Sequence, residues 1–406
     1  MSVSGVDPGA VAARPQLIRA MNEQLLLEHV RLAGPLARGD LVRLSGLSKP
    51  TVALALETLE RDALVQVVGR RTGGRGPAAA LYEIRRDAGF VLGLDVGREY
   101  VRGALADLTG AVRARLSRRA RSASARARVA ELASLADELL LTAGVRRSHA
   151  ILHTVVGSPG VLDPGRAALT MVGNLPGWER PAVLSEIRRM FGESTAIEND
   201  IDVAAVAERD HGHGREVSTF AFVSVGTGIG MGLVIDGKLH RGAHGVAGEI
   251  AYLPLGLLEA DAREVRRRGA LEAVASSAAV VRAARTQGLR GHVSARTVFA
   301  AAAHGDARAR RVVEAEADLV ARAIASIVVV VDPELVVLGG GIGRAPGFAA
   351  EVATRLERVA PFVPEIRASA LGEDAVVDGC LAAGTEQLWE RVIRSRGQRV
   401  SRRDTR

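Results

Sequence analysis

From Phe90 onward the chain alternates short apolar runs with helical stretches, and it does so twice. Phe90-Val-Leu-Gly-Leu-Asp-Val-Gly, Val101 to Asp107 and His149 to Gly157 read as strands, with helical segments expected at about 125–143 and 178–192. The pattern restarts at Phe220-Ala-Phe-Val-Ser-Val, and again at Ile327 to Gly341 after a long helix from about Asp306. Strands alternating with helices dictate an α/β fold, and two such runs predict two lobes with a cleft between them. At 406 residues the chain also exceeds what one hydrophobic core holds, so further domains are expected.

The region before Phe90 has a different character. Residues 1–15, carrying Gly, Pro and Ser, are expected to form a flexible arm. From Gln16 to about Arg31, the residues Leu17, Ile18, Met21, Leu25 and Leu26 fall at helical spacing. A second helix is expected from Gly39-Asp40, with Asp40 as N-cap and Leu41, Leu44 and Leu47 inward. A third runs from Ser48 to about Asp62, with Pro50 in its first turn and Val52, Leu56 and Leu59 as the buried stripe. A strand, Leu64 to Gly69, a Gly/Arg turn, Arg70 to Pro77, and a return strand, Ala80 to Ile84, follow. Three helices and a β-hairpin make a winged helix-turn-helix over residues 16–86, whose third helix suits a DNA major groove. Ser48, Lys49, Thr51 and Ala53 lie in its first turns, where such helices meet base edges and phosphates. Arg70, Arg71 and Arg75 of the wing are candidates for phosphates or a minor groove, or for a solvated hairpin tip.

Composition bounds the setting. The net charge of +8 favours a polyanionic partner, though only Lys49 and Lys238 are lysines. An Ala/Arg/Gly-rich chain acquires many arginines from GC-rich coding alone, so the charge supports DNA binding weakly. The single Cys380 excludes a disulfide framework and a cysteine-based zinc site, and fits a reducing cytoplasm. No apolar run is long enough for a bilayer, and Met1 to Pro15 lacks the apolar core of a signal peptide. The arginines between Arg113 and Arg128 read as a solvated face, and 394–406 as a disordered basic tail, with tracking of DNA phosphates the alternative for either cluster.

Six pieces of the later sequence, in order, resemble the ROK family: Asp95-Val-Gly, Asn174 to Trp178, Glu198-Asn-Asp200, Ser224 to Gly232, His244 to Glu249 and Leu338 to Ile342. That family groups sugar kinases with sugar-responsive repressors on a two-lobed, actin-like or hexokinase-type (ribonuclease H-like) fold. Its repressor branch carries an N-terminal winged helix, so the resemblance spans essentially the whole chain. It implies a first lobe of residues 87–198 plus about 376–393, and a second lobe of 199–375 with an effector cleft.

The resemblance also implies roles. Asn199, Glu249 and Glu272 match residues that hydrogen-bond sugar hydroxyls, and Asp200 matches the base that takes a sugar proton in the kinases. Asn174, in the turn ending at Trp178, is expected beside the sugar, and Tyr252 can offer its hydroxyl to a ligand. Locally, Asn199-Asp200 also reads as a helix N-cap pair, and Trp178 as a core plug.

Two departures stand out. Family kinases carry Asp-x-Gly-Gly-Thr in the first loop, where this chain has Asp95-Val96-Gly97-Arg98-Glu99. Bulk and negative charge there argue against productive ATP binding. Many members hold a structural zinc, but here its ligand positions read Tyr252, Arg263, Val265 and Ala270, so zinc is expected to be absent. The expectation is therefore a cytoplasmic regulator and not an enzyme: a repressor of sugar uptake or catabolic genes, needing no cofactor. It binds a palindromic double-stranded operator as a homodimer or homotetramer, answers to a sugar or sugar derivative, and has no membrane partner. The alternatives are a sugar kinase with an accessory DNA-binding domain and a regulator without a small-molecule effector.

Overall fold

The computed structural model describes residues 15–403, apart from 73–77, 123, 147–151, 164, 166–167, 173–174, 255–264 and 266–267. Its contacts divide the chain into two units, one formed by the residues up to Phe90 with Asp107–Ala111 and Thr385 onward, the other by Val91–Ala106 and Val112–Gly384.

In the first unit, helix α1 (Pro15–Ala33) precedes strand β1 (Leu36–Ala37), and α2 (Arg38–Ser45) leads to α3 (Lys49–Arg61). Strands β2 (Val65–Arg71) and β3 (Ala79–Ile84) complete an antiparallel sheet in the order β1-β3-β2. The wing residue Arg75 lies outside the described residues. Ser48 caps α3, its Oγ accepting the Thr51 amide at 3.3 Å, while Gly46 ends α2 in the left-handed region at φ 70°. Val52, Ala55, Leu56 and Leu59 are buried beneath α3.

Two expectations are corrected here. Asp40 is not the N-cap of α2; it lies in the first turn and its carboxylate accepts the Ala37 amide at 3.0 Å. Of the residues expected inward on α2, Leu41 is buried but Leu44 is exposed. Helix α1 buries Ala20, Glu23, Leu26, Leu27 and Val30, and leaves Leu17, Ile18, Met21 and Leu25 exposed. The helix is apolar on two opposite faces, so periodicity alone does not say which one meets the core.

The second unit holds two sheets. The first has the order β10-β7-β4-β5-β6, from β4 (Phe90–Val96), β5 (Tyr100–Asp107), β6 (Val112–Arg119), β7 (Leu152–Ser158) and β10 (Ala196–Asn199). Helices α4 (Ala125–Thr142) and α5 (Pro181–Phe191) accompany it, with a small ribbon of β8 (Val161–Asp163) and β9 (Ala168–Thr170). The chain then enters α6 (Asp200–His211).

The second sheet has the order β13-β12-β11-β14-β15, from β11 (Phe220–Val225), β12 (Ile229–Ile235), β13 (Lys238–Leu239), β14 (Leu335–Gly339) and β15 (Glu365–Ala368). Helices α7 (Ala270–Val274), α8 (Ser277–Thr286), α9 (Ala295–Ala303), α10 (Ala307–Val331), α11 (Gly340–Gly343) and α12 (Phe348–Leu356) belong to this lobe. Val320, Ile324 and Val328 of α10 share one apolar core with Val223, Val336 and Leu338 of the sheet.

The strand expected from Ile327 is shorter than its apolar run. Ile327 to Val331 finish α10, and Asp332, at φ 53°, ends that helix ahead of Pro333. The last helix, α13 (Ala375–Arg403), corrects the disordered tail expected from 394, since its backbone is helical through Arg403. Its later part belongs to the first unit. There Trp389 Nε1 donates to the Leu108 carbonyl at 3.0 Å, Leu108 donates to the Arg86 carbonyl, and the Arg31 guanidinium lies 5.6 Å from the Trp389 ring centre.

Helix α6 meets both of its neighbours through glycines. A Cβ on Gly232 would lie 2.6 Å from the Ala205 Cβ, and one on Gly379 would overlap the Val203 carbonyl oxygen. Gly379→Ala is therefore expected to lower unfolding stability by about 3 kcal/mol or more, because a backbone atom cannot step aside as a side-chain tip can. Gly341→Ala, with open space around it, should stay within about 0.5 kcal/mol of the parent. Urea denaturation of both variants checks this.

Candidate functional site

Between the strand ends of the two sheets lies a cavity of about 470 Å³, a size suited to a small polar ligand. Asn199, Asp200, Glu249, Tyr252 and Glu272 all line it, so residues from α6, the 240s loop and α7 come together in space. Asn174 lies outside the described residues. Trp178 is fully buried, and its Nε1 donates to Ser158 Oγ at 2.7 Å.

The local reading of Asn199 as an N-cap holds. Its Oδ1 caps α6 by accepting the amides of Ile201 (2.9 Å) and Asp202 (3.1 Å), and its Nδ2 donates to the Gly160 carbonyl. One N–H of the amide is left for a ligand. Asp200 accepts the Ile201 amide on Oδ1 alone, and Glu272 accepts the Ile229 amide on Oε2 alone. Each keeps an oxygen for the cavity, and the Glu249 carboxylate has no partner among the described residues. These convergent acceptors suit a ligand that offers hydroxyl donors.

The enclosure raises these carboxyls. Asp200 is pushed up to about 6 by burial, against the pull of backbone amides. Glu249 is pushed up to about 7 by burial and by the negative charges of Asp200 and Glu272. Burial raises Glu272 too, with the Ile229 amide and Arg268 opposing, and it raises Tyr252 alongside Glu249 and Glu272. Asp95 reaches about 7 because burial outweighs Arg102, whose guanidinium lies 3.3 Å away.

The first loop forms the mouth of the same cavity. Gly97 is required by the hairpin, since a Cβ there would come 2.6 Å from the Tyr100 carbonyl. Arg98, Glu99 and Tyr100 are exposed at the opening. Arg102 bridges Asp95 and Glu373, whereas Arg98 and Arg344 line the cavity without a carboxylate partner among the described residues.

Behind the loop stands Arg128, 1% exposed, donating to the carbonyls of Gly97, Arg98 and Ser122. The expectation of a solvated arginine face is thus wrong at this position. Arg115 pairs with Asp374 and Asp378, and Arg118 with Glu138. Burial lowers the Arg128 pKa, with Glu131 and Asp95 opposing. Nothing in its sequence neighbourhood distinguishes Arg128 from the other arginines, so only the fold could pick it out.

Several glycines of the glycine-rich turns serve packing. A Cβ at Gly228 would come 2.5 Å from the Glu272 carboxylate, and Gly340, at φ 74°, lies against the Val225 backbone. Tyr252, Val265 and Ala270 offer neither thiolate nor imidazole, so the residues do not fit a structural zinc, and no His/Cys/Asp/Glu group among the described residues suits a metal.

On the first unit, Ser48, Lys49 and Thr51 open α3, but the Thr51 hydroxyl is held by Ser48 Oγ at 2.8 Å. Arg71 pairs with Asp40 at 2.9 Å, whereas Arg70 projects without a carboxylate partner among the described residues. No helix among the described residues is long and apolar enough to cross a membrane.

Residues 91–386 match the model of the ROK family. A xylose repressor of Caldicellulosiruptor bescii is 26% identical over 388 residues, covering 90% of this chain and 96% of that protein. A crystal structure of a ROK family transcriptional regulator, a homologue of the E. coli MLC protein, superposes with a TM-score of 0.72 at 22% identity, over 93% of this chain and 98% of the other. The ROK hexokinase of Thermus thermophilus superposes at 0.61 with 29% identity, over 74% of this chain and 99% of its own.

Carboxyls whose folded pKa lies above the unfolded value bind extra protons in the native state between about pH 4 and 7. Their contribution to stability is complete below that window and is lost as pH rises through it. Unfolding free energy is expected to fall from pH 4.5 to 7. Glu249→Gln should flatten the fall by at most about 1.4 kcal/mol per pH unit, one proton's worth. Denaturant melts across this range measure it.

Proposed function

The chain belongs to the ROK family, and from that membership we propose that it is a sugar-responsive transcriptional repressor, with the first unit as DNA reader and the cavity as effector site. One observation carries the reading. The hexokinase covers 74% of this chain, while a xylose repressor and a ROK transcriptional regulator cover 90% and 93% of it. Ahead of the residues 91–386 that match the family lies α1 to β3, read as a winged helix-turn-helix over 16–86. A homodimer would present two copies of α3 to a palindromic operator in the cytoplasm.

Two elements offer a route for coupling. Strand β5 begins at the cavity with Tyr100 and Arg102 and ends in the Asp107–Ala111 turn of the first unit. Helix α13 begins at the cavity with Ala375 and Val376 and carries Trp389 in the first unit. A ligand that favours one arrangement of these elements shifts operator affinity by its differential binding and no more. The repressor relative's name makes D-xylose the first effector to test. No metal or cofactor enters this account.

A kinase reading has one observation in its favour. Asp200, at about 6, is ionised at neutral pH and able to take a hydroxyl proton. Against it stand Arg98 and Glu99 at the mouth. Selection of duplexes from a random pool is expected to yield an operator, with Lys49→Ala weakening binding to it and reducing its salt dependence. Sugar-dependent ATP consumption abolished by Asp200→Asn would reverse the ranking.

A further inference from the structure

The outward face of α3 is not polar at its centre. On a helix of 3.6 residues per turn, Pro50, Leu54, Glu57 and Arg61 fall opposite the buried Val52, Ala55, Leu56 and Leu59. Leu54 is 48% exposed, in the middle of that line. None of the described residues of the first unit covers it, and leaving such a side chain in water is unfavourable.

We propose that Leu54 is a specificity-determining residue of the DNA-reading helix, making an apolar contact with the C5-methyl group of a thymine in the major groove. The inference rests on the reading of the first unit as a DNA reader. The surroundings choose the occupant. Lys49 is exposed in the first turn of this helix, and the same unit exposes Arg43 on α2, beside Asp40, and Arg70 on β2, cations of the kind a duplex backbone requires. Glu57, one turn beyond Leu54, repels phosphates, so the centre of the face suits base edges and its rim suits the backbone. Pro50 and Leu54 present no hydrogen-bonding side-chain group, and the thymine methyl is the apolar feature that base pairs expose in the major groove. The Thr51 hydroxyl, engaged by Ser48, is less available for base reading than its position suggests.

The test selects operator duplexes with the full-length protein and with Leu54→Ala, then replaces each invariant thymine by deoxyuridine, which removes only the methyl. The wild type is expected to require thymine at one position per half-site, and deoxyuridine there should weaken binding about fourfold, the effect of one exposed methyl group. Leu54→Ala should accept any base at that position and be indifferent to deoxyuridine, while binding the remaining positions unchanged. A wild type that binds a defined operator but ignores every thymine methyl overturns the inference and leaves the DNA reading standing. So does a Leu54→Ala protein with unaltered base preference, including one changed only in oligomeric state. A wild type that selects no sequence overturns both. Circular dichroism of Leu54→Ala separates misfolding from lost recognition, and Leu54→Met, which keeps an apolar tip, should retain the thymine preference.

Discussion

Helix α6 runs between a strand of the second lobe and the final helix at separations that admit no side chain on the facing glycines. Gly230 and Gly232 of β12 face Ile201, Asp202 and Ala205, while Gly379 of α13 faces Val203. Backbones that approach this closely cannot slide without clashing, so the first turn of α6 is fixed relative to both sheets. Asn199 caps that turn and ties it to Gly160, which holds Asp200 at the cavity wall. The remaining features of the cleft are arranged around that fixed point. The glycine-rich run at 226–232 then has a reason to exist without a nucleotide: one end makes room for Glu272 and the other for α6.

The chemistry of the cavity follows from what is enclosed in it. Three carboxyls with oxygens to spare, two of them raised to about 6 and 7, can accept hydroxyl protons in hydrogen bonds at neutral pH. Such chemistry suits the polyol effector proposed for the cavity. Phosphoryl transfer would further need backbone amides and cations positioned around phosphate oxygens. The cavity carries Arg98, Arg344 and glycine turns, but its first loop is held from behind by Arg128, through the loop carbonyls, and places Glu99 at the mouth. The arginine is nearly inaccessible and bound to three backbone oxygens, so the loop conformation is a built feature of this chain.

Much of the architecture was legible from residue order. The restart of the strand–helix alternation at Phe220 marked the second sheet, and Ser48 with Pro50 marked the start of α3. Asn199, Asp200, Glu249, Tyr252 and Glu272, far apart in sequence, were gathered by resemblance and do share one cavity. The misreadings have physical causes. Ile327 to Val331 is β-branched and apolar, which suits strand and helix alike until Asp332 ends the turn. Asp40 has the right chemistry for a cap but sits three residues too late. Arg128, Arg102 and Arg344 acquire their roles only when remote segments meet, and no local pattern encodes that.

The central claim is that occupancy of the cavity changes the affinity of the first unit for DNA. Fluorescence anisotropy of a selected operator, titrated with the full-length protein with and without saturating D-xylose, tests it directly when Glu249→Gln is run beside the wild type. The account predicts weaker operator binding by the wild type in the sugar, and a variant whose operator affinity matches the wild type without sugar but no longer responds to it. Equal operator affinity with and without sugar, in a protein that calorimetry shows to bind that sugar, would contradict it.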